Sequence, residues 1–194
     1  EADSKIKYAV TADWGSEHLL AVDENRINKT GIYATNEFLL MFQFPLIAGS
    51  RQNVLTDPNS VVLTASTAKM FFGDSDPIGQ IVRLDNASDM KVTGVMKDVP
   101  SNSSFQFDFI IPFSFYQNEG WIQRSMHNWS NYSFQVFVEL QPGASETSVE
   151  NNIKELLTRN GQRDVKREFF LHPMSRWRLY SYFKDGKEAG GMIE

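Results

Sequence analysis

The 194-residue sequence predicts an α+β domain, and three observations carry that prediction. Short apolar runs with period two, punctuated by glycine, proline and asparagine, recur along the chain as half-buried strands require. Between Ser60 and Phe113 a strand, a short helix and three further strands follow one another. From Tyr132 to Leu171 the order is strand, helix, strand, a βαβ unit whose crossover is right-handed.

Ile6 to Thr11 alternates apolar and polar side chains as a half-buried strand does, and Trp14-Gly15 ends it. His18 to Val22 and Ile32 to Thr35 are the next strands, separated by the polar stretch Asp23 to Thr30 and pairing as a hairpin. Asn36 then caps a helical turn or two over Glu37 to Phe42. Asn53 to Asn59 is a loop that turns at Asp57-Pro58.

Val61 to Leu63 is a short apolar run, and the Thr64 hydroxyl is placed to accept from the free N–H groups of the helix that follows. Ala65, Ala68 and Phe72 fall on one face of that helix. Gly73 supplies a positive-φ stop, and Pro77 and Gly79 turn the chain into a strand over Gln80 to Leu84. Asp85 to Asp89 is turn chemistry, so Ile81 to Leu84 and Met90 to Val99 form an antiparallel hairpin. Gly94, inside a strand, marks a bulge or a close approach of another backbone.

Phe113 to Met126 reads as a short helix and a connecting segment. Tyr132 to Leu140 is a strand with Phe134, Val136, Val138 and Leu140 on one face and Gln135 and Glu139 on the other. Gln141-Pro142-Gly143 is its turn. Ser145 or Thr147 caps a helix to about Asn160 that lines up Val149, Ile153, Leu156 and Leu157, with Gly161 as its stop. Glu168 to Leu171 is the returning strand.

The punctuation of the central stretch resembles the MacB-like periplasmic core domain of FtsX-like ABC transporter permeases. The matching residues are Phe44-Pro45-Leu46 with Gly49, Val61 to Thr64, Ala68-Lys69, Phe72-Gly73-Asp74, Asp76-Pro77-Ile78-Gly79, Val92 to Val95, Lys97 to Pro100 and Ser104. The clear match covers roughly Phe38 to Phe113, with weaker echoes to about Tyr182. The resemblance implies a split fold. A porter-like βαβ subdomain would come from both chain ends, 1–43 and 114–194, with a small mixed α/β subdomain, 44–113, inserted between them. It also implies transmembrane helices beyond both ends, which would place Glu1 and Glu194 close together. The implied partners are those helices, a cytoplasmic ATPase, a second copy of a similar domain and a periplasmic protein.

Composition narrows the function classes. Hydrophobic content of 41% and charged content of 22% are those of a folded globular chain. A net charge of -5 with no basic stripe argues against nucleic acid as a partner. Lys5, Lys7, Lys166 and Arg167 are scattered, solvated positions. The absence of cysteine excludes disulfides and thiolate metal sites. No run reaches the roughly 20 apolar residues of a membrane-spanning helix, and no signal-peptide core is present. A start at Glu1 and a polar tail from Lys184 to Glu194 read as a piece excised from a longer protein.

Groups able to do chemistry are sparse. His18, His127 and His172 each stand without a carboxylate or serine at a motif spacing, as surface or core histidines do. Asp74 and Asp76 are a fragment of a calcium loop or, better, turn aspartates, because Pro77 interrupts the ligand pattern. Ser66 and Lys69 have the S-x-x-K spacing without its companion motifs. No phosphate-binding glycine loop or zinc signature occurs. The expectation is therefore no catalytic, cofactor-binding or metal-binding residue, no cofactor and no enzyme activity, with any substrate contacts unassigned. Phe113, Phe115, Tyr116, Trp121, Trp129, Tyr132 and Phe134 crowd one stretch, either as core between subdomains or as a platform for carbohydrate or peptide. Asn28, Asn86, Asn102, Asn128 and Asn131 start N-x-[ST] sequons, read as chance occurrences rather than glycosylation sites. The functional expectation is a non-enzymatic domain on the periplasmic side of the bacterial inner membrane. It would couple ATP hydrolysis to handling a periplasmic substrate or regulating a periplasmic partner; the alternative is a carbohydrate- or peptide-binding module.

Overall fold

A computed structural model describes residues 4–126, 128–129, 132–160, 168–184 and 187–192. The order of elements is β1 (Ile6–Ala12), β2 (Ser16–Val22), β3 (Asn25–Ala34), α1 (Phe38–Phe42), β4 (Leu46–Ala48), β5 (Ser60–Thr64), α2 (Ala65–Phe72), β6 (Ile81–Leu84), β7 (Ser88–Met96) and β8 (Phe109–Pro112). Then come α3 (Phe113–Tyr116), α4 (Gly120–Met126), β9 (Gln135–Leu140), α5 (Glu146–Ile153), α6 (Leu156–Arg159), a 3-10 turn (Met174–Arg176), β10 (Tyr182–Lys184) and β11 (Lys187–Gly190). The fold is α+β, as the sequence predicts. Contacts group the chain into two compact units, one built from Glu1–Lys5 with Leu140–Glu194 and the other from Ile6–Glu139.

The larger unit is a closed mixed sheet. Its strands run β2-β6-β7-β5-β8-β3, and β3 pairs back onto β2, so these six close a ring. β1 and β9 continue from β3, and β4 adds to β7. Closure gives each strand of the ring a partner on both sides and encloses a side-chain core. Leu20, Leu63, Val82, Met90, Phe109 and Ile111 form that core. β5 is buried at every position, with Ser60 and Thr64 at its ends, and it runs parallel to β7 and antiparallel to β8. Strands from before residue 44 thus share one sheet with strands from 44–113. β2 pairs with β6 and β3 with β8.

Both glycine expectations hold. Gly73 ends α2 at φ +60, its N–H bonded to the Lys69 carbonyl at 2.8 Å. At Gly94 the β5–β7 register shifts, Val61 opposing Val92 and Val62 opposing Gly94, which leaves Thr93 as the extra residue of a bulge. A Cβ on Gly94 would also lie 2.9 Å from Val54 Cγ1. The β6–β7 hairpin forms with Leu84 opposite Ser88, and Asp85 and Asn86 both take positive φ in its loop.

Other expectations need correction. The polar residues 25–30 are not a connection but the first part of β3, since Val22 pairs with Asn25 and Asp23-Glu24 alone make the turn. Their polarity fits a strand stretch with much of its surface in water. Glu37, not Asn36, is the residue that opens α1, and no side chain caps it. Thr64 has the extended backbone of a cap, but its hydroxyl donates to Thr67 Oγ1 at 2.9 Å rather than accepting from the helix. The carboxylate of Asp98, two residues beyond β7, accepts from Ser66 N–H at 2.9 Å and does the capping instead. Asp98→Ala is accordingly expected to cost about 1 kcal/mol in urea unfolding. A loss below a few tenths would show that the cap bond contributes nothing.

In β9 the two faces differ in burial as alternation requires. Phe137, on the side of Gln135 and Glu139, is buried, whereas Val136 is 68% exposed. The larger ring decides the face, packing at 5.3 Å from Phe42 and 5.7 Å from Phe105. The helix from Ser145 to about Asn160 is two helices, α5 and α6, broken after Ile153. Ser145 does cap α5, accepting from Ser148 N–H. Glu168 to Leu171 forms no strand, so the expected βαβ unit lacks its return. Leu171 N–H is taken instead by the Glu150 carboxylate at 2.9 Å. The Gly161 stop, Lys166, Arg167 and the terminal residues Glu1 and Glu194 lie outside the described residues.

Candidate functional site

The most organised polar constellation is at the β2–β6 seam. Ser16 and His18 are alternate residues of β2, so the pleat puts both side chains on one face. Asp85 follows β6 in a positive-φ turn, φ 50, and its N–H donates to the Leu19 carbonyl at 2.8 Å. Its Oδ1 accepts from Leu19 N–H at 2.9 Å and its Oδ2 lies 2.7 Å from His18 Nδ1. His18 Nε2 is 2.9 Å from Ser16 Oγ. A carboxylate can only accept, so the neutral ring carries its proton on Nδ1 and presents Nε2 as the acceptor for the Ser16 hydroxyl. Tyr33 and Phe109 hold the ring edge-on at 5.6 and 5.9 Å.

Asp13 lies beside this array. It is 8% exposed, and its Oδ1 accepts from Tyr33 N–H at 2.9 Å. Burial pushes its carboxyl above the ordinary value of 3.8, opposed by the backbone N–H groups of Tyr33 and Gly15 and by the charge of His18. Burial, then Asp85 and Asp13, push the Tyr33 phenol well above its usual range. A carboxyl whose folded pKa is raised adds stability below its unfolded value and loses it as pH rises through the folded one. Asp13→Asn keeps the acceptor for Tyr33 N–H and carries no charge. It is expected to raise the melting temperature more at about pH 7 than at about pH 4. An equal gain at both pH values would rule out the buried charge as the cause.

The other candidate groups are dispersed. His172 is 3.7 Å from the Glu188 carboxylate, which also pairs with Arg176, and its buried Nε2 has no hydrogen-bond partner among the described residues. His127 lies outside the described residues. Asp76 Oδ1 accepts from Ile78 N–H at 2.9 Å, the bond of a turn aspartate. Ser66 and Lys69 make no bond to each other among the described residues. No group of three or more His, Asp or Glu could hold a metal ion among the described residues. Thr64, Ser66, Asp98, Gln106 and Asp108 line a polar depression of about 350 Å³.

The aromatic stretch divides. Tyr116 stacks on Tyr33 at 4.1 Å and meets Trp121 edge-on at 5.5 Å, while Phe113 meets Phe134 at 5.1 Å. Phe113 is buried, and Phe115, Tyr116 and Phe134 pack against the core. Trp121, Trp129 and Tyr132 are 41%, 36% and 52% exposed. The stretch is therefore core on its inner side and solvent-exposed on its outer side.

Sequence reasoning singled out neither Ser16 nor Asp85. The alternation S-x-H on a strand is the local signal for the first pair. Asp85 comes from 67 positions along the chain, and only the β2–β6 pairing brings it to His18.

Residues 2–156 match the family of the MacB-like periplasmic core domain. Three solved structures share the fold. A domain of a putative permease protein from Porphyromonas gingivalis is 25% identical with a TM-score of 0.68, the match covering 88% of this chain and 80% of that one. The periplasmic region of MacB from Actinobacillus actinomycetemcomitans is 21% identical with a TM-score of 0.61, covering 87% and 72%. The extracellular domain of the noncanonic ABC-type transporter YknZ from Gram-positive bacteria is 16% identical with a TM-score of 0.60, covering 88% and 83%. No curated protein matches the chain. Among the described residues no helix is long and apolar enough to cross a membrane. The family match over 155 of 194 residues, together with the shared fold, establishes that the chain belongs to the MacB-like periplasmic core domain family, the periplasmic part of inner-membrane ABC transporter permeases.

Proposed function

We propose that this domain is a transmission element: ATP hydrolysis by a cytoplasmic ATPase moves flanking transmembrane helices, and the domain moves with them. It works against a second copy and so handles a periplasmic substrate or regulates a periplasmic partner. The observation that supports this most is the closed, side-chain-filled ring of strands, whose six named core residues are at most 1% exposed. A close-packed body of this kind moves as a unit instead of absorbing the displacement internally. The domain is not an enzyme in this reading and is expected to turn over no substrate and to bind no nucleotide or metal tightly.

These 194 residues contain no cysteine, so introduced thiols are the only ones within the domain. Probes placed through Ile81→Cys and Val136→Cys sit on exposed positions of the same unit. In the full permease the Ile81-to-Val136 distance within one copy is expected to stay constant between nucleotide-free and ATP-bound states. The Val136-to-Val136 distance between copies is expected to change by several ångströms. A constant intercopy distance would sink the transmission role. The exposure of Trp121, Trp129 and Tyr132 favours a second reading, in which the outer aromatic face holds a glycan or peptide.

A further inference from the structure

The seam array combines three features that a merely solvated serine lacks. Its hydroxyl is tied to a ring nitrogen at 2.9 Å, and that ring is oriented by a carboxylate at 2.7 Å on its other nitrogen. The carboxylate is fixed in turn by Leu19 N–H and by its own positive-φ backbone. Ser16 is exposed at the first position of β2, where a small molecule can reach it.

We infer that Ser16 is an activated serine, a covalent acceptor for small activated acyl groups, with His18 as its base and Asp85 as the residue that positions His18. In the transfer, Ser16 Oγ forms a bond to the acyl carbon while its proton passes to His18 Nε2. The tetrahedral adduct then expels the alkoxide of the donor ester, which leaves with the proton from His18. The products are O-acyl-Ser16 and the free alcohol, and no oxidant or reductant is consumed. Asp85 holds the Nδ1–H tautomer and stabilises the transient imidazolium. An exposed strand end gives the developing oxyanion a water-facing environment, where its charge is stabilised far less than in a closed site. The position therefore takes up one acyl group without efficient turnover, which is compatible with a transmission role.

The test uses p-nitrophenyl acetate on the folded chain, with the gain of one acetyl group read by intact mass and located by peptide mapping. Ser75, exposed and without a histidine partner among the described residues, is the internal reference. General-base assistance predicts Ser16 acetylation on the order of a hundredfold faster than at Ser75. The ratio is expected to fall toward one in acid, as general-base catalysis requires. His18→Gln should bring Ser16 close to the Ser75 rate. Asp85→Asn, which keeps an oxygen acceptor for Leu19 N–H, should slow Ser16 and alter its pH profile, whereas a purely structural Asp85 would leave that profile unchanged. If either variant fails to fold, the unmodified chain still decides. A Ser16-to-Ser75 ratio near one, or one that is flat with pH, overturns the proposal.

Discussion

Gly49→Ala is expected to destabilise the domain by about 2–4 kcal/mol, because two penalties fall on one atom. Gly49 sits at φ +94, where an L side chain is strained by about 1 kcal/mol. The added Cβ would also lie 2.6 Å from the Thr93 carbonyl oxygen, 2.7 Å from Val54 Cγ1 and 3.0 Å from Gly94 Cα. Two of these three atoms are backbone of the β7 bulge, which the β5 pairing holds in place, so relaxation is limited and overpacking adds about 1–3 kcal/mol. Thr93 also donates its hydroxyl to the Val54 carbonyl at 2.6 Å, tying the same loop to the same bulge. Urea unfolding with an unchanged slope and a lowered midpoint would confirm the effect. A shift below about 0.5 kcal/mol would mean that the loop over residues 49–54 gives way freely. Gly73→Ala is the contrast, since no atom lies within 4 Å of its Cβ and only the φ penalty, about 1 kcal/mol, applies.

These glycines also show where sequence reasoning works and where it stops. Gly73 after an amphipathic run and Gly94 inside a strand announce a local requirement, a positive φ or a close approach, and a local requirement is visible in a local pattern. The β6–β7 hairpin is read for the same reason, since its turn chemistry lies between the two strands it joins. What escaped is decided at a distance. Asp98 caps α2 from 32 residues away, while Thr64, the nearby hydroxyl, points to Thr67. Residues 25–30 look like a loop because that stretch of β3 is largely exposed, and nothing local reports that β2 continues alongside them. In β9, alternation yields two faces but not which one is buried. Phe42 and Phe105 decide that by receiving Phe137. The seam array fails in the same way, since S-x-H is local but Asp85 arrives only through barrel closure.

The largest loss is expected for Phe109→Ala, about 3–5 kcal/mol. Phe109 is 1% exposed on β8, within the barrel core, and its ring lies directly over Gly31 of the parallel neighbour β3. A Cβ on Gly31 would fall 2.1 Å from Cζ and 2.2 Å from Cε2 of that ring, so the glycine is the space the phenylalanine occupies. Gly31→Ala alone should therefore cost about 2 kcal/mol or more, since a fully enclosed ring cannot swing aside without displacing its neighbours. The two changes should not add. In Phe109→Leu the distal ring atoms that meet the new Cβ are gone. The Gly31→Ala/Phe109→Leu double variant is then expected to be more stable than the sum of the single losses implies, by about 1–2 kcal/mol. Denaturant melts of all four chains measure that coupling. Simple additivity would show that the ring and the glycine are not complementary, and that the conformational freedom of Gly31, not its missing side chain, is what β3 requires.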